Sequence, residues 1–160
     1  MKRIFLICAM ICGIAVSVSS CNKGEDDNKP KQEIVDHIRL DNYTKQQIDM
    51  LCDNMGISIY GGSIVPQELL VIDSQEKLAA IAPNFAETID LEGKMLLITA
   101  VGLKSGSASV NNALIRTDNS LVWNVVIHYP DFGTCDAPIV FTYNMYPLYN
   151  SPIDIEIIER

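Results

Sequence analysis

The sequence has few of the residues from which catalytic and metal sites are built. It contains two histidines, His37 and His128, and neither they nor the cysteines beyond residue 21 show the short spacing of zinc ligands. The nearest thiol and imidazole in the mature chain belong to Cys135 and His128. Two aspartates beside this cysteine disfavour its thiolate form, so the pair is a poor nucleophile and base. A glycine-rich phosphate loop, a GxSxG motif and a calcium loop are also missing. We therefore predict no enzyme, no cofactor and no metal.

Basic residues are scarce as well. Lysine and arginine total 12 against 20 aspartates and glutamates, which gives a formal net charge of −8 at pH 7. An acidic surface repels phosphate backbones, so we do not expect a nucleic-acid partner. The same repulsion excludes attachment to anionic lipids through a basic patch, and membrane binding would need a covalent lipid.

Residues 1–20 have the composition of a secretory signal peptide. Lys2 and Arg3 form a positive start, residues 4–18 are almost all apolar, and two serines precede Cys21. A transmembrane anchor is the alternative, but about fifteen apolar residues fall short of the roughly twenty that span a bilayer. We predict cleavage after residue 20, which makes the net charge more negative by two.

The end of this segment, Val18-Ser19-Ser20-Cys21, resembles the lipobox of bacterial lipoproteins. The resemblance implies that Cys21 becomes the mature N-terminus and carries a fatty acyl chain such as palmitate. Residues 22–33 have no aliphatic or aromatic side chain, so we predict that 21–33 is a lipidated, disordered tether. Within it, residues 23–27 (KGEDD) resemble the acidic export signal of surface-exposed lipoproteins of the Bacteroidota. This implies an outer-membrane protein displayed on the cell surface, with a periplasm-facing lipoprotein as the alternative.

Two helices are predicted in residues 34–160, which we interpret as one globular domain. Thr44 and Gln47 form a capping-box pattern that starts the first helix, and Gly56 is placed to end it. The polar run Asp73–Glu76 caps the second helix, and Pro83 stops it. The apolar face of the first helix comprises Ile48, Leu51, Cys52 and Met55.

Strand patterns dominate after residue 94. The run 95–101 is apolar throughout, as in a strand buried on both faces, whereas 121–129 alternates and places Trp123 on an apolar face. We therefore predict an α+β fold with an antiparallel, curled or sandwich-like sheet and two short helices packed on it. The predicted strands are 34–40, 68–72, 95–101, 113–117, 121–129, 139–146 and 153–157.

Cys52 and Cys135 are the two cysteines left after cleavage and acylation. In an exported chain two thiols favour one disulfide, which would contribute about 4 kcal/mol through the entropy of the unfolded chain. Two separate buried thiols are the alternative, because free cysteine packs as a small apolar residue.

From Leu69 onward the order of motifs resembles that of known lipoproteins. A strand leads to Asp73-Ser74-Gln75-Glu76 and a short helix, and Ile89-Asp90-Leu91 leads into the strand 95–101. This resembles the C-terminal domain of the protease-complex-stabilising lipoproteins and small Bacteroidota lipoproteins related to inhibitors of streptopain-type proteases. The resemblance implies a non-enzymatic module that binds a protein, in the specific case as a protease inhibitor or stabiliser.

The loops 102–109 and 130–138 are the predicted contact regions, because small and polar residues there leave the backbone free to enter a cleft. An alternative is a carbohydrate-binding accessory lipoprotein that uses an aromatic platform of Phe132, Tyr143, Tyr146 and Tyr149. The binding candidates from both hypotheses are Lys104, Ser105, Ser107, Asp131, Phe132 and Tyr146.

Overall fold

The computed structural model describes residues 31–60, 68–118, 120–134 and 138–160, with the backbone alone for 56–60. In these ranges the chain forms two α-helices, seven strands and a 3-10 turn at Pro83–Phe85, which confirms the α+β class. The predicted signal peptide, Cys21, most of the tether, and Cys135 lie outside the described residues. The elements are β1 Glu33–Val35, α1 Asn42–Tyr60, β2 Leu70–Ile72, α2 Gln75–Ile81, β3 Lys94–Gly102, β4 Ser109–Arg116, β5 Leu121–His128, β6 Ile139–Pro147 and β7 Ile153–Glu159.

The strands form two sheets. Sheet A has the order β1-β4-β5-β7, and sheet B has the order β2-β3-β6. In sheet A, β4 and β5 form the predicted hairpin, whose turn is closed by the Thr117 N–H donating to the Ser120 carbonyl at 2.9 Å. All strand pairs in sheet B are antiparallel. Sheet B is therefore a three-stranded layer with β3 at its centre.

Two apolar cores separate three layers in the order helices, sheet B, sheet A. The first core lies between the helices and sheet B and includes Leu51, Leu78 and Ile98. The second core lies between the two sheets and includes Leu97, Trp123 and Val125. Because β3 contributes alternate residues to both cores, it is buried on both faces, as its continuous apolar run predicts. Trp123 is fully buried, which confirms its placement in the sheet core.

The first helix is longer than the sequence predicts at both ends. Asp41, not Thr44, caps it, because the Thr44 N–H donates to Asp41 Oδ1 at 2.7 Å and the Lys45 N–H to the Asp41 carbonyl at 3.0 Å. This hydrogen bond from Thr44 lowers the pKa of the Asp41 carboxyl. The prediction that Gly56 ends the helix is wrong, since α1 continues to Tyr60. Neither helix in the described ranges is both long and apolar enough to cross a membrane.

The direction of the last strand also differs from the prediction. β7 pairs parallel with β5, with Leu121 opposite Ile153 and Ile127 opposite Glu159. The alternation of apolar and charged residues in β7 correctly indicates which residues point inward. It cannot distinguish parallel from antiparallel pairing, because the pattern is the same in both chain directions. The chain crosses from β6 in sheet B to β7 in sheet A, and this crossover allows the parallel pairing.

Candidate functional site

The two predicted contact loops meet at one end of the molecule. The Leu103 N–H donates to the Pro138 carbonyl at 2.9 Å, which ties the start of one loop to the end of the other. Gly133 lies so close to the Ser105 side chain that a Cβ at this position would overlap it. We call this surface, formed by residues 103–108 and 130–134, the loop end. The two loops therefore form one joint surface.

Ser105 holds the first loop in shape and is not a contact residue. Only 9% of it is exposed. Its Oγ accepts from the Ser107 N–H at 3.2 Å, and its carbonyl accepts from the Ala108 N–H at 3.2 Å. These bonds close a tight turn under Gly106. The structure thus corrects the prediction for Ser105, whereas Ser107 is exposed as predicted.

Lys104 is exposed but fixed by neighbours from two strand ends. Its Nζ forms an ion pair with the Glu159 carboxylate and lies 5.6 Å from the centre of the Tyr129 ring. Its backbone N–H donates to the Tyr129 hydroxyl at 3.2 Å. The hydrogen bond to Glu159 raises the pKa of the Lys104 ammonium group, which keeps it charged. Lys104 therefore presents an exposed ammonium group that is paired with Glu159 beside the loop end.

Phe132 is the most prominent side chain of the loop end. It is 93% exposed, more than any other large apolar residue in the described ranges. Asp131 beside it is also exposed. A phenylalanine that contributes nothing to the core leaves its apolar surface in water unless another molecule covers it. Phe132 and Asp131 are thus available for contact, as the sequence predicts.

Tyr146 is a core residue, and the prediction that it binds a ligand is wrong. It is 1% exposed and faces the core between the two sheets. Burial raises the pKa of its hydroxyl. Tyr143 points to the opposite face of β6, where its hydroxyl donates to Asp49 Oδ1 on α1 at 2.5 Å. Burial, followed by this bond, raises the pKa of Tyr143.

The remaining aromatic candidates are just as dispersed. Tyr149 follows β6 and packs at the edge of the core between the sheets, whereas Phe132 precedes β6 at the loop end. Tyr143 and Tyr146 are three residues apart on β6, and because successive residues of a strand point to opposite faces, they lie on different faces of sheet B. The four aromatic residues therefore do not form the platform that the carbohydrate hypothesis requires.

Two residues that contact Lys104 of the loop end were not among the sequence candidates, namely Tyr129 and Glu159. Tyr129 ends the alternating pattern of β5, and its polar tip was a usable indication. Glu159 gave no such indication, since only the parallel pairing of β7 brings it beside the end of β5. The bonds between Tyr129 and the Arg160 carbonyl (2.9 Å) and between the Arg160 N–H and the Ile127 carbonyl (2.8 Å) fix this position.

The cysteine prediction is answered in part. Cys52 lies on the buried face of α1, as predicted; it is 4% exposed and has no disulfide partner among the described residues. Burial, together with the charges of Asp49 and Asp53, raises the pKa of the Cys52 thiol to about 12. Cys135 lies outside the described residues, so its pairing with Cys52 stays a prediction.

Other parts of the described surface offer less to a ligand. An apolar pocket of about 170 Å³ lies between α1 and sheet B, lined by Met55, Leu70, Thr99 and Phe141. Two further, more polar clefts of the described surface measure about 270 and 230 Å³, and all three volumes are below the roughly 300–1,000 Å³ of sites for drug-sized ligands. Among the residues described, no group of three or more metal-binding side chains comes together. The loop end remains the candidate with the most specific geometry.

Comparisons of the chain with models of protein families, with curated proteins and with solved structures find no match in any of the three. The geometry of the loop end is therefore the basis for assigning it a role. The three informative features of the loop end are the joint loops, the ion pair of Lys104 with Glu159 and the exposed ring of Phe132.

Proposed function

We propose that this protein is a lipid-anchored, non-enzymatic module that binds a protein partner through the loop end. The family resemblance suggests a protease as the partner, which this protein would inhibit or stabilise. The anchor is the acyl chain predicted on Cys21, and the outer surface of the outer membrane is the predicted location. Support for the proposal comes from the position of the loop end relative to the anchored end of the domain.

The chain enters the folded domain at the pole opposite to the loop end. β1 pairs with the far end of β4, with Glu33 opposite Arg116, and the two side chains form an ion pair at 2.6 Å. The other end of β4, at Ser109, lies beside His128 and the loop end. Seven residue steps along β4 at about 3.3 Å separate the two poles by roughly 23 Å. This polarity is the observation that carries the proposal.

A lipid on Cys21 would hold the β1 pole toward the membrane and leave the loop end facing away from it. The segment from Cys21 to Glu33 can reach at most about 40 Å when fully extended. This reach allows the domain to stand off the membrane surface while its contact loops remain accessible to a partner. A binding surface at the anchored pole would instead compete with the membrane for space.

Phe132 has the properties of an apolar interface anchor. Aromatic side chains dominate the binding energy of protein interfaces when a partner covers them. Lys104 adds an exposed ammonium group to the same surface, and an acidic group of a partner would share it with Glu159. The carbohydrate alternative has no comparable support, because the aromatic residues it requires lie on different faces.

A site-specific crosslinking experiment tests the proposal. A photo-reactive phenylalanine analogue replaces Phe132 in the lipidated protein on intact cells, and the same analogue replaces Tyr43 in a matched control. Tyr43 is also an exposed aromatic residue (57%), but it lies near the start of α1, away from the loop end. We expect a discrete crosslinked protein from position 132 and not from position 43.

The purified partner then allows a quantitative test. Phe132→Ala should reduce affinity about tenfold or more, as expected for an interface anchor. Tyr43→Ala should bind as the unchanged protein does. Both variants should keep the melting temperature, since neither side chain contributes to a core. Equal crosslinking from both positions, or equal affinity of the two variants, would refute the proposal.

A further inference from the structure

We propose that a partner held at the loop end also adds an extended segment to sheet B, along Ile139–Tyr143 of β6. This inference rests on the proposed function and specifies how the partner is bound. Among the described residues β6 is an edge strand, and the stretch of it that has no neighbour there starts at the loop end, where Pro138 is bonded to Leu103. An unpaired strand edge presents a row of backbone donors and acceptors that a further strand can use.

The outward direction of these backbone groups follows from one hydrogen bond. The Ile38 N–H donates to the Met145 carbonyl at 2.7 Å, from the side of β6 opposite to β3. The N–H and C=O of one residue point to the same side of an antiparallel strand, and the side alternates along the chain. The register of β6 with β3 is continuous, so Ile139, Phe141 and Tyr143 share the outward direction of Met145. Within the described ranges, Ile38 is the one residue bonded to this side of β6, and it covers the Met145 end.

The other edges among the described residues are better protected against strand addition. β7 carries Asp154, Glu156 and Glu159, and β2 is only three residues long. β1 is equally short and carries Glu33. Charge and short length are the usual means by which proteins block an edge.

The free part of β6 has neither protection. Residues 139–143 (IVFTY) contain no charge and consist of β-branched and aromatic residues, which favour extended pairing. The part of β4 beyond β1 also has no paired strand on that side among the described residues, but it contains Asn111 and Asn112, which disfavour strands. The Asn112 amide is in addition engaged with Thr142 Oγ1 at 2.5 Å.

A second copy of this chain fits the same edge less well than a segment of another protein. Two β6 edges related by a twofold axis would pair antiparallel and point the two loop ends in opposite directions. One of the two copies would then direct its loop end toward the membrane that its lipid enters. A strand supplied by a partner already seated on Phe132 carries no such conflict.

Hydrogen exchange of the free protein is the first test, because it needs no ligand. The amides of Phe141 and Tyr143 should exchange quickly, whereas those of Val140 and Thr142, which point toward β3, should exchange slowly. Equal protection of all four amides in the free protein would overturn the proposal, because the edge would not be available.

The second test uses the partner recovered by crosslinking at position 132. Its binding should slow exchange at Phe141 and Tyr143. Ile139→Pro removes an outward N–H without removing a bond to β3, and we expect it to reduce affinity about tenfold or more while the far-ultraviolet spectrum is kept. Ile139→Ala is the matched control, which loses the side chain but keeps the N–H, and it should bind within about twofold of the unchanged protein.

The outcomes separate this inference from the proposed function. If Phe132→Ala weakens binding but Ile139→Pro does not, the partner contacts the loop end without adding a strand, and only the strand proposal is wrong. If Ile139→Ala and Ile139→Pro weaken binding equally, the side chain and not the backbone is the contact, and strand addition is again refuted. If no partner crosslinks at position 132, both proposals fail.

Discussion

Gln75 is expected to be a main support of the segment that leads into β3. Its Nε2 donates to the Ala86 carbonyl and, at 3.1 Å, to the Ile89 carbonyl. Its Oε1 accepts from the Leu91 N–H at 3.3 Å. Ile89 and Leu91 are buried in the core under the helices, so one amide side chain at the start of α2 positions two core residues.

The cost of removing this side chain follows from its three hydrogen bonds. Each bond contributes about 0.5–1.5 kcal/mol net, so Gln75→Ala should lower the free energy of unfolding by about 1.5–4.5 kcal/mol. Total stabilities of domains are about 5–15 kcal/mol, so this loss is easily measured. Glu76→Gln, an exposed change in the same helical turn, is the control and should cost about 0.5 kcal/mol through the helix dipole.

Gln75→Glu adds a dependence on pH whose sign can be worked out. The carboxylate keeps an acceptor for the Leu91 N–H but turns oxygen lone pairs toward the carbonyls of Ala86 and Ile89. The folded state therefore favours the protonated acid and raises the pKa of the introduced Glu above its unfolded value of about 4.3. Between the unfolded pKa and the higher folded pKa, the folded state binds more protons than the unfolded state. The stability of Gln75→Glu therefore falls as the pH rises from the first value to the second.

Urea denaturation from about pH 5 to about pH 8 measures both effects, and this range lies above the isoelectric point near 4.6. The deficit of Gln75→Glu relative to the unchanged protein should grow with pH, whereas the deficit of Gln75→Ala should stay constant. A loss below about 0.5 kcal/mol for Gln75→Ala would refute the assigned role. A constant deficit for Gln75→Glu would show that the amide does not donate to these carbonyls.

Three further predictions address the core and the cysteines. Trp123→Ala should lower the free energy of unfolding by about 3–5 kcal/mol, whereas Trp123→Phe should cost far less. The reason is that the indole N–H, although close to the Tyr146 hydroxyl, completes no hydrogen bond, so phenylalanine loses none. Urea denaturation compares the two variants. Cys21→Ala should abolish labelling by an alkyne fatty acid, and equal labelling of this variant would contradict lipidation. A disulfide between Cys52 and Cys135 should lower the mass of the unreduced mature protein by about two units, whereas about two titratable thiols per unfolded chain would exclude it.

The strands and faces of this fold could be predicted from the sequence to a large extent. The alternation in β5 correctly places Trp123 inside, and the unbroken apolar run of β3 correctly indicates burial on both faces. Ser74 caps α2 as predicted, accepting from the Lys77 N–H at 3.2 Å. These features depend on residues that are close in the chain, and local periodicity is sufficient to reveal them.

The limits of the first helix and the candidate site were less predictable. Thr44 and Gln47 satisfy a capping-box pattern, but the pattern does not exclude a better cap three residues earlier, at Asp41. Alternation in β6 could not decide which face is covered by α1 and which by sheet A. Tyr146 therefore looked like part of an aromatic surface, although the second sheet buries it completely.

The sequence by itself determined which segments fold into strands and helices, because burial with a period of two or 3.6 residues is written directly in the order of apolar side chains. It also determined the loops that carry Lys104 and Phe132. Only the tertiary structure decided that these loops touch, that Glu159 reaches Lys104 through a parallel strand, and that β1 lies at the opposite pole. Such contacts join residues distant in sequence, and strand order and direction, which no local pattern encodes, determine them.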